Sequence, residues 1–84
     1  MIKGDASETV KERVRKYLEG IGFEPLYVRK HPGSTYLFMV VGKRIGAHAY
    51  AWWAHWNETT QSLNHGHYGY SSLIECLEDA MNHI

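Results

Sequence analysis

The chain is predicted to fold as an α+β domain: a two-layer sandwich whose antiparallel meander of three to four strands carries an N-terminal and a C-terminal helix on one face, in the order α-β-β-β-(β)-α. Three observations predict it. Residues near both ends repeat their apolar side chains at spacings of three and four, the mark of an amphipathic helix. Between them lie short extended runs separated by Gly, Pro and Asn turn signals. The third is the stretch 47–56, AHAYAWWAHW, which holds neither Gly, Pro nor a formal charge and reads as the central strand.

Eighty-four residues make a single domain over 1–84, with 1–6 expected to fray. A domain of this size buries only about 60–65% of the surface that its unfolded chain exposes, so self-association is expected to help stabilise it. A hydrophobic fraction of 44% and a charged fraction of 21% exclude a disordered tail. The formal charge is zero but unevenly spread. All nine Lys and Arg lie at or before Arg44, with five acids in the same stretch, giving +4, and the remainder carries Glu58, Glu75, Glu78 and Asp79, giving −4. Zero net charge argues against binding nucleic acid mainly by phosphate neutralisation. A single cysteine, Cys76, and no basic-then-apolar leader lead to the expectation of a reduced, cytoplasmic protein. No apolar run approaches the roughly 20 residues that span a bilayer.

Over residues 7–19, Val10, Val14, Tyr17, Leu18 and then Ile21 form the apolar stripe of the first helix, with Asp5 or Ser7 as its cap. Glu8, Lys11, Glu12, Arg15, Lys16 and Glu19 make a solvated outer face. Gly20 suits the left-handed position after it. Two extended runs follow, 23–30 and 35–41, joined by His31-Pro32-Gly33-Ser34; in the first, Leu26 and Val28 face one way and Tyr27 and Arg29 the other. Residues 42–46 read as the next turn, Asn57-Glu58-Thr59-Thr60 as a polar reversal, and 61–70 as a weaker fourth strand. Ser72 and Glu75 open the final helix as a capping box, with Leu73, Cys76, Leu77, Ala80, Met81 and Ile84 on its inner stripe.

Alternation in the central strand places His48, Tyr50, Trp52, Ala54 and Trp56 on one face and Ala47, Ala49, Ala51, Trp53 and His55 on the other. Adjacent Trp52 and Trp53 must therefore point to opposite sides of the sheet. The small alanines favour their face as the one the helices cover; the alternative has Tyr50 and Trp52 facing the helices. If the helices cover one side only, an aromatic and histidine-rich face is left for a partner. Pairing Trp56 with Gln61 would set Trp52 opposite His65, Tyr50 opposite His67 and His48 opposite Gly69, so that His48, His65 and His67 share a face and offer candidate metal ligands. No cofactor is expected. Catalysis is not expected either, because the histidines lack an orienting acid and Ser71 and Ser72 have a capping role.

The segment LEGIGFEPLYVRKHPGSTYLF, residues 18–38, follows a helix and resembles the start of the HicA toxins through Gly22-Phe23, Arg29 and Gly33-Ser34. The resemblance implies a fold similar to double-stranded RNA-binding domains and RNA as a substrate. Thr35 stands where that family has its catalytic histidine, and Gly69-Tyr70-Ser71-Ser72 replaces the lysines that open the last helix of such domains.

The function expected from these residues is a small non-enzymatic interaction module, binding itself as a homodimer or another protein, with Tyr27, Leu37, Met39, Tyr50 and Trp52 as interface candidates. The alternative is an RNA- or single-strand-binding protein that uses Lys30, Lys43 and Arg44 for phosphates, and the third reading is the histidine metal site. Phage and mobile elements are the expected setting for a compact domain of this profile.

Overall fold

A computed structural model describes residues 7–46 and 51–83, with the backbone but not the side chain of His65. In chain order the elements are α1 (Glu8–Glu19), β1 (Phe23–Lys30), β2 (Leu37–Arg44), β3 (Trp52–Asn57), β4 (Ser62–His67) and α2 (Leu73–Met81). Among the described residues the sheet is a four-stranded antiparallel meander, ordered β1-β2-β3-β4. The α+β class and the order of elements are those the sequence predicts.

The caps follow from side-chain chemistry. Ser7 Oγ accepts from Val10 N at 3.4 Å and Ser72 Oγ from Glu75 N at 3.2 Å, each satisfying a donor that the helix itself leaves orphaned. Glu75 reaches back to Ser71 N at 3.1 Å rather than to Ser72, one position before the expected box partner. Gly20 ends α1 in right-handed conformation, and the left-handed glycine that turns the chain into β1 is Gly22, at φ +89°. Gly33, at φ +78°, and Ser34, whose Oγ accepts from Leu37 N at 3.1 Å, shape the β1–β2 reversal.

The placement of the helices departs from the one-face expectation. Val10, Val14 and Leu18 of α1 pack with Val28, Phe38, Val40, Trp52, Ala54 and Trp56. Cys76 and Ala80 of α2 pack instead with Met39, Val41, Ala51 and Trp53. Residues 38 and 40 of β2 thus serve one core and 39 and 41 the other, so the helices cover opposite faces of the sheet. The physical reason is the Trp52-Trp53 pair. Strand alternation sends one indole each way, as the sequence predicts, and each large apolar ring then needs its own cover. Both are buried, Trp52 at 4% and Trp53 at 0% exposure. Ala51, Cys76 and Ala80 are the small residues that let α2 approach its face closely.

Gly42 lies inside β2, not in a turn, and pairs with Trp52 on β3. A Cβ there would stand 2.6 Å from Cζ2 of the Trp52 ring and 3.0 Å from the Glu24 carbonyl, so the missing side chain is the space the indole occupies. The β3–β4 reversal is also displaced from the expected register. Trp56 pairs with Leu63, not Gln61, and a bulge between Trp53 and His55 brings His67 opposite Trp53, not Tyr50. Asn57 Oδ1 sets this register by accepting from Thr59 N at 2.9 Å and Thr60 N at 3.2 Å, with Gln61 closing the loop at φ +53°. Glu58 ties the turn to α1, accepting from Trp56 Nε1 at 3.2 Å and from Arg13 at 2.7 Å.

Replacing Gly42 with Ala should overpack the Trp52 site and lower stability by about 1–3 kcal/mol. Urea unfolding of the variant would measure it; a midpoint equal to that of the parent chain would show that the indole moves aside without cost.

Candidate functional site

The α2 face carries the densest chemistry among the described residues. Alternation along β3 puts Trp53 and His55 on it, the β4 bulge adds His67, the end of β1 leads to His31, and the turn after α2 supplies His83. Three imidazoles therefore gather round one buried indole, and a fourth, His31, meets one of them. The His67 ring stacks on Trp53 with centroids 4.1 Å apart and planes 11° from parallel. His83 lies 4.8 Å and His55 5.6 Å from the same indole, and His31 meets His55 edge-on at 5.6 Å. His31 Nε2 is 3.3 Å from the His83 carbonyl, which links the β1–β2 reversal to the end of α2. His83 Nδ1 is 2.8 Å from the Asp79 carbonyl, an acceptor only, so a neutral His83 carries its proton on Nδ1 and its lone pair on Nε2.

A hydrogen-bonded triad anchors the centre. Trp53 Nε1 donates to the Tyr70 hydroxyl at 2.7 Å and to Asp79 Oδ2 at 3.1 Å, and the Tyr70 hydroxyl donates to that same carboxylate oxygen. Donation from Tyr70, then from Trp53, holds the Asp79 carboxyl below its ordinary range against the opposing effect of burial, with His83 and His67 adding a smaller pull. Burial first, and the bond to Asp79 second, push the Tyr70 hydroxyl up to about 12, although donation from Trp53 acts the other way. Burial and then Asp79 push the Cys76 thiol up to about 11. A buried thiol so reluctant to ionise is a core residue rather than a nucleophile.

Beyond the nine-residue α2, the same sheet face carries a hollow among the described residues. His31, Tyr36, Leu37, His55, Asn57 and Asn64 line this hollow of about 340 Å³. Leu37 is the interface candidate that lines it, and Tyr27 is half-buried against the α2-side core. Met39 and Trp52 are corrected as interface residues: they are 0% and 4% exposed and belong to cores on opposite faces, because each face has its own helix. Tyr50 and His48 lie outside the described residues, as does the side chain of His65. The grouping of His67 with Tyr50 gives way to its stack on Trp53. Among the described residues no cluster of three or more His, Cys, Asp or Glu is arranged to hold a metal ion. Of the phosphate candidates, Lys43 Nζ is 2.9 Å from Glu24 Oε1, while Lys30 and Arg44 stand at opposite ends of the β1–β2 pair.

The residues behind the HicA resemblance have structural roles here: Gly33 and Ser34 make the turn, and Arg29 points a guanidine N–H at Met81 Sδ, 3.9 Å away. Sequence reasoning found no orienting acid for the histidines and missed Asp79 and His83. Their i,i+4 spacing at the end of the last helix was the available signal, but only the packing of α2 shows which face they meet.

Fold and site together define a small α+β domain, a meander sheet clad by a helix on each face, with a histidine shelf beside the shorter helix. The chain belongs to the family described as Large polyvalent protein associated domain 24, whose model matches residues 9–73. That span runs from α1 to the first residue of α2, so it includes His31, His55 and His67 and stops before Asp79 and His83. Comparison with curated proteins and with solved structures gives no match. Among the described residues no helix is long and apolar enough to cross a membrane.

The Asp79 carboxyl is depressed in the folded chain, so it stabilises the fold above its unfolded value of about 3.9, and that contribution is lost as pH falls through the lower folded value. The urea midpoint of the parent chain should accordingly drop more steeply on acidification than that of Asp79→Asn. Tyr70 has the opposite sign: its stabilisation is complete below an unfolded value of about 10 and is lost as pH rises through the folded value. An absorbance titration should show one tyrosine ionising late, near pH 12, and Tyr70→Phe should abolish that step. Identical curves for Tyr70→Phe and parent would mean that the triad does not hold in solution.

Proposed function

We propose that this domain is a small non-enzymatic interaction module that binds protein, a second copy of itself or another chain, through the histidine-rich shelf. The observation that carries the reading is the end of the α2 face, where Tyr36, 46% exposed, and Leu37 stand beside His31 and His55 over the hollow past the helix. Tyr and His offer an apolar body with a polar tip, a composition suited to a partly wet interface. The absence of enzymatic activity is part of the proposal, supported by the inert Cys76 and by the engagement of Ser71 and Ser72 at the start of α2. A cytoplasmic setting within phage or mobile-element proteins completes it, supported by the association of the family with large polyvalent proteins.

Self-association is the form most simply tested. Imidazoles in general gain charge as pH falls from about 7.5 to about 5. A two-fold contact would set the imidazoles of one shelf against those of its copy, with Arg29 and Asp79 as the charged groups beside them. Sedimentation should show a dimer near neutrality that dissociates on acidification, and Tyr36→Ala should raise its dissociation constant about tenfold without changing the far-ultraviolet circular dichroism. A monomer at every concentration and pH would rule out self-association and leave a foreign protein as the partner to be sought.

A further inference from the structure

The opposite face of the sheet carries a second concavity. Two hollows of about 190 and 430 Å³ adjoin each other there, sharing Phe23, Trp52 and Tyr68. Together they fall in the range of small-molecule sites, about 300–1,000 Å³. Tyr17 and Ile21 wall the end nearer α1, and Arg44 stands at the other end.

The composition of this cleft is specific. Phe23 meets Trp52 edge-to-face, with centroids 5.5 Å apart. Tyr68 is 75% exposed, its ring lying over Gly66, where an added Cβ would meet the phenol oxygen at 2.7 Å. The walls thus present aromatic surface to a flat guest. Arg44 is cross-strand partner to Phe23 and, two residues after Gly42, shares the face of Trp52. Among the described residues Arg44 has no carboxylate within ion-pair distance, whereas its neighbour Lys43 is held by Glu24. The Trp52 indole N–H is buried beneath the cleft without an acceptor among the described residues. Aromatic walls and a spare guanidinium are the complement of a planar heterocycle that carries an anion.

We propose that this cleft binds a nucleotide, with its base against Tyr68, Phe23 and the edge of Trp52 and its phosphate on Arg44. The cleft shares no imidazole with the histidine shelf, although Ala51 and Tyr70 of the α2-side core line the edge of its larger hollow. Its ligand chemistry has two sources, a free mononucleotide or one unit of an unpaired strand. A duplex, whose bases are stacked inside, offers no ring to the cleft.

The test uses the full chain with a fluorescein-labelled single-stranded oligoadenylate, the matching duplex, and AMP as competitor. Fluorescence polarisation should show binding of the single strand that weakens with salt, and little binding of the duplex. Tyr68→Ala should weaken the single strand about 5- to 150-fold, the range that loss of one base–aromatic stack produces. Arg44→Gln should lower the affinity and flatten the salt dependence by about one phosphate contact, a slope change of roughly 0.7. Displacement by AMP would identify a free nucleotide as sufficient, and strand binding that AMP does not displace would identify the polymer; either supports the cleft. Circular dichroism of both exposed-site variants checks that they remain folded. The proposal is overturned if neither AMP nor the single strand binds, if duplex and single strand bind equally, or if folded Tyr68→Ala and Arg44→Gln bind as the parent does.

Discussion

Two adjacent tryptophans on one strand are the constraint from which the rest of this architecture follows. A strand cannot send Trp52 and Trp53 the same way, and neither ring is small enough to leave uncovered at little cost. The chain answers with α1 on one face and α2 on the other, and it fills the space around each indole differently. On the α1 side Trp52 lies in the gap left by Gly42, beside Phe23. On the α2 side Trp53 is held by hydrogen bonds to Tyr70 and Asp79 and flanked by imidazoles.

This division separates the two faces chemically. Around Trp52 the neighbours are apolar and aromatic, with one cation at the margin. Around Trp53 they are hydrogen-bonding and titratable, because α2 brings Asp79 and His83 to a sheet surface that already carries His55 and His67. Ion pairs along α1, such as Arg15 with Glu19 at 2.9 Å, lie on the outer surface and add little to either core. The more informative polar contact is Glu58, which joins the Trp56 indole to Arg13 and thereby couples the β3–β4 reversal to α1.

The two surfaces differ in what they offer a partner. The shelf is an end of sheet beyond a short helix, with a hollow lined by His31, His55, Tyr36 and Leu37. The cleft over Trp52 is walled by rings, with Arg44 at one end.

The sequence by itself determined the elements, their order and the opposed directions of the two indoles, because periodicity, capping residues and strand alternation are local properties of the chain. Ser7, Ser72 and the Pro32-Gly33 reversal were legible for the same reason. Tertiary structure alone decided that both sheet faces are covered, that Gly42 makes room for an indole instead of a turn, and that a bulge in β4 carries His67 from Tyr50 to Trp53. It also chose Asp79 and His83 as the partners of the histidines. Those outcomes depend on which residues distant in the chain come to share a surface, and spacing along a strand or helix cannot fix that until a packed helix supplies the other side.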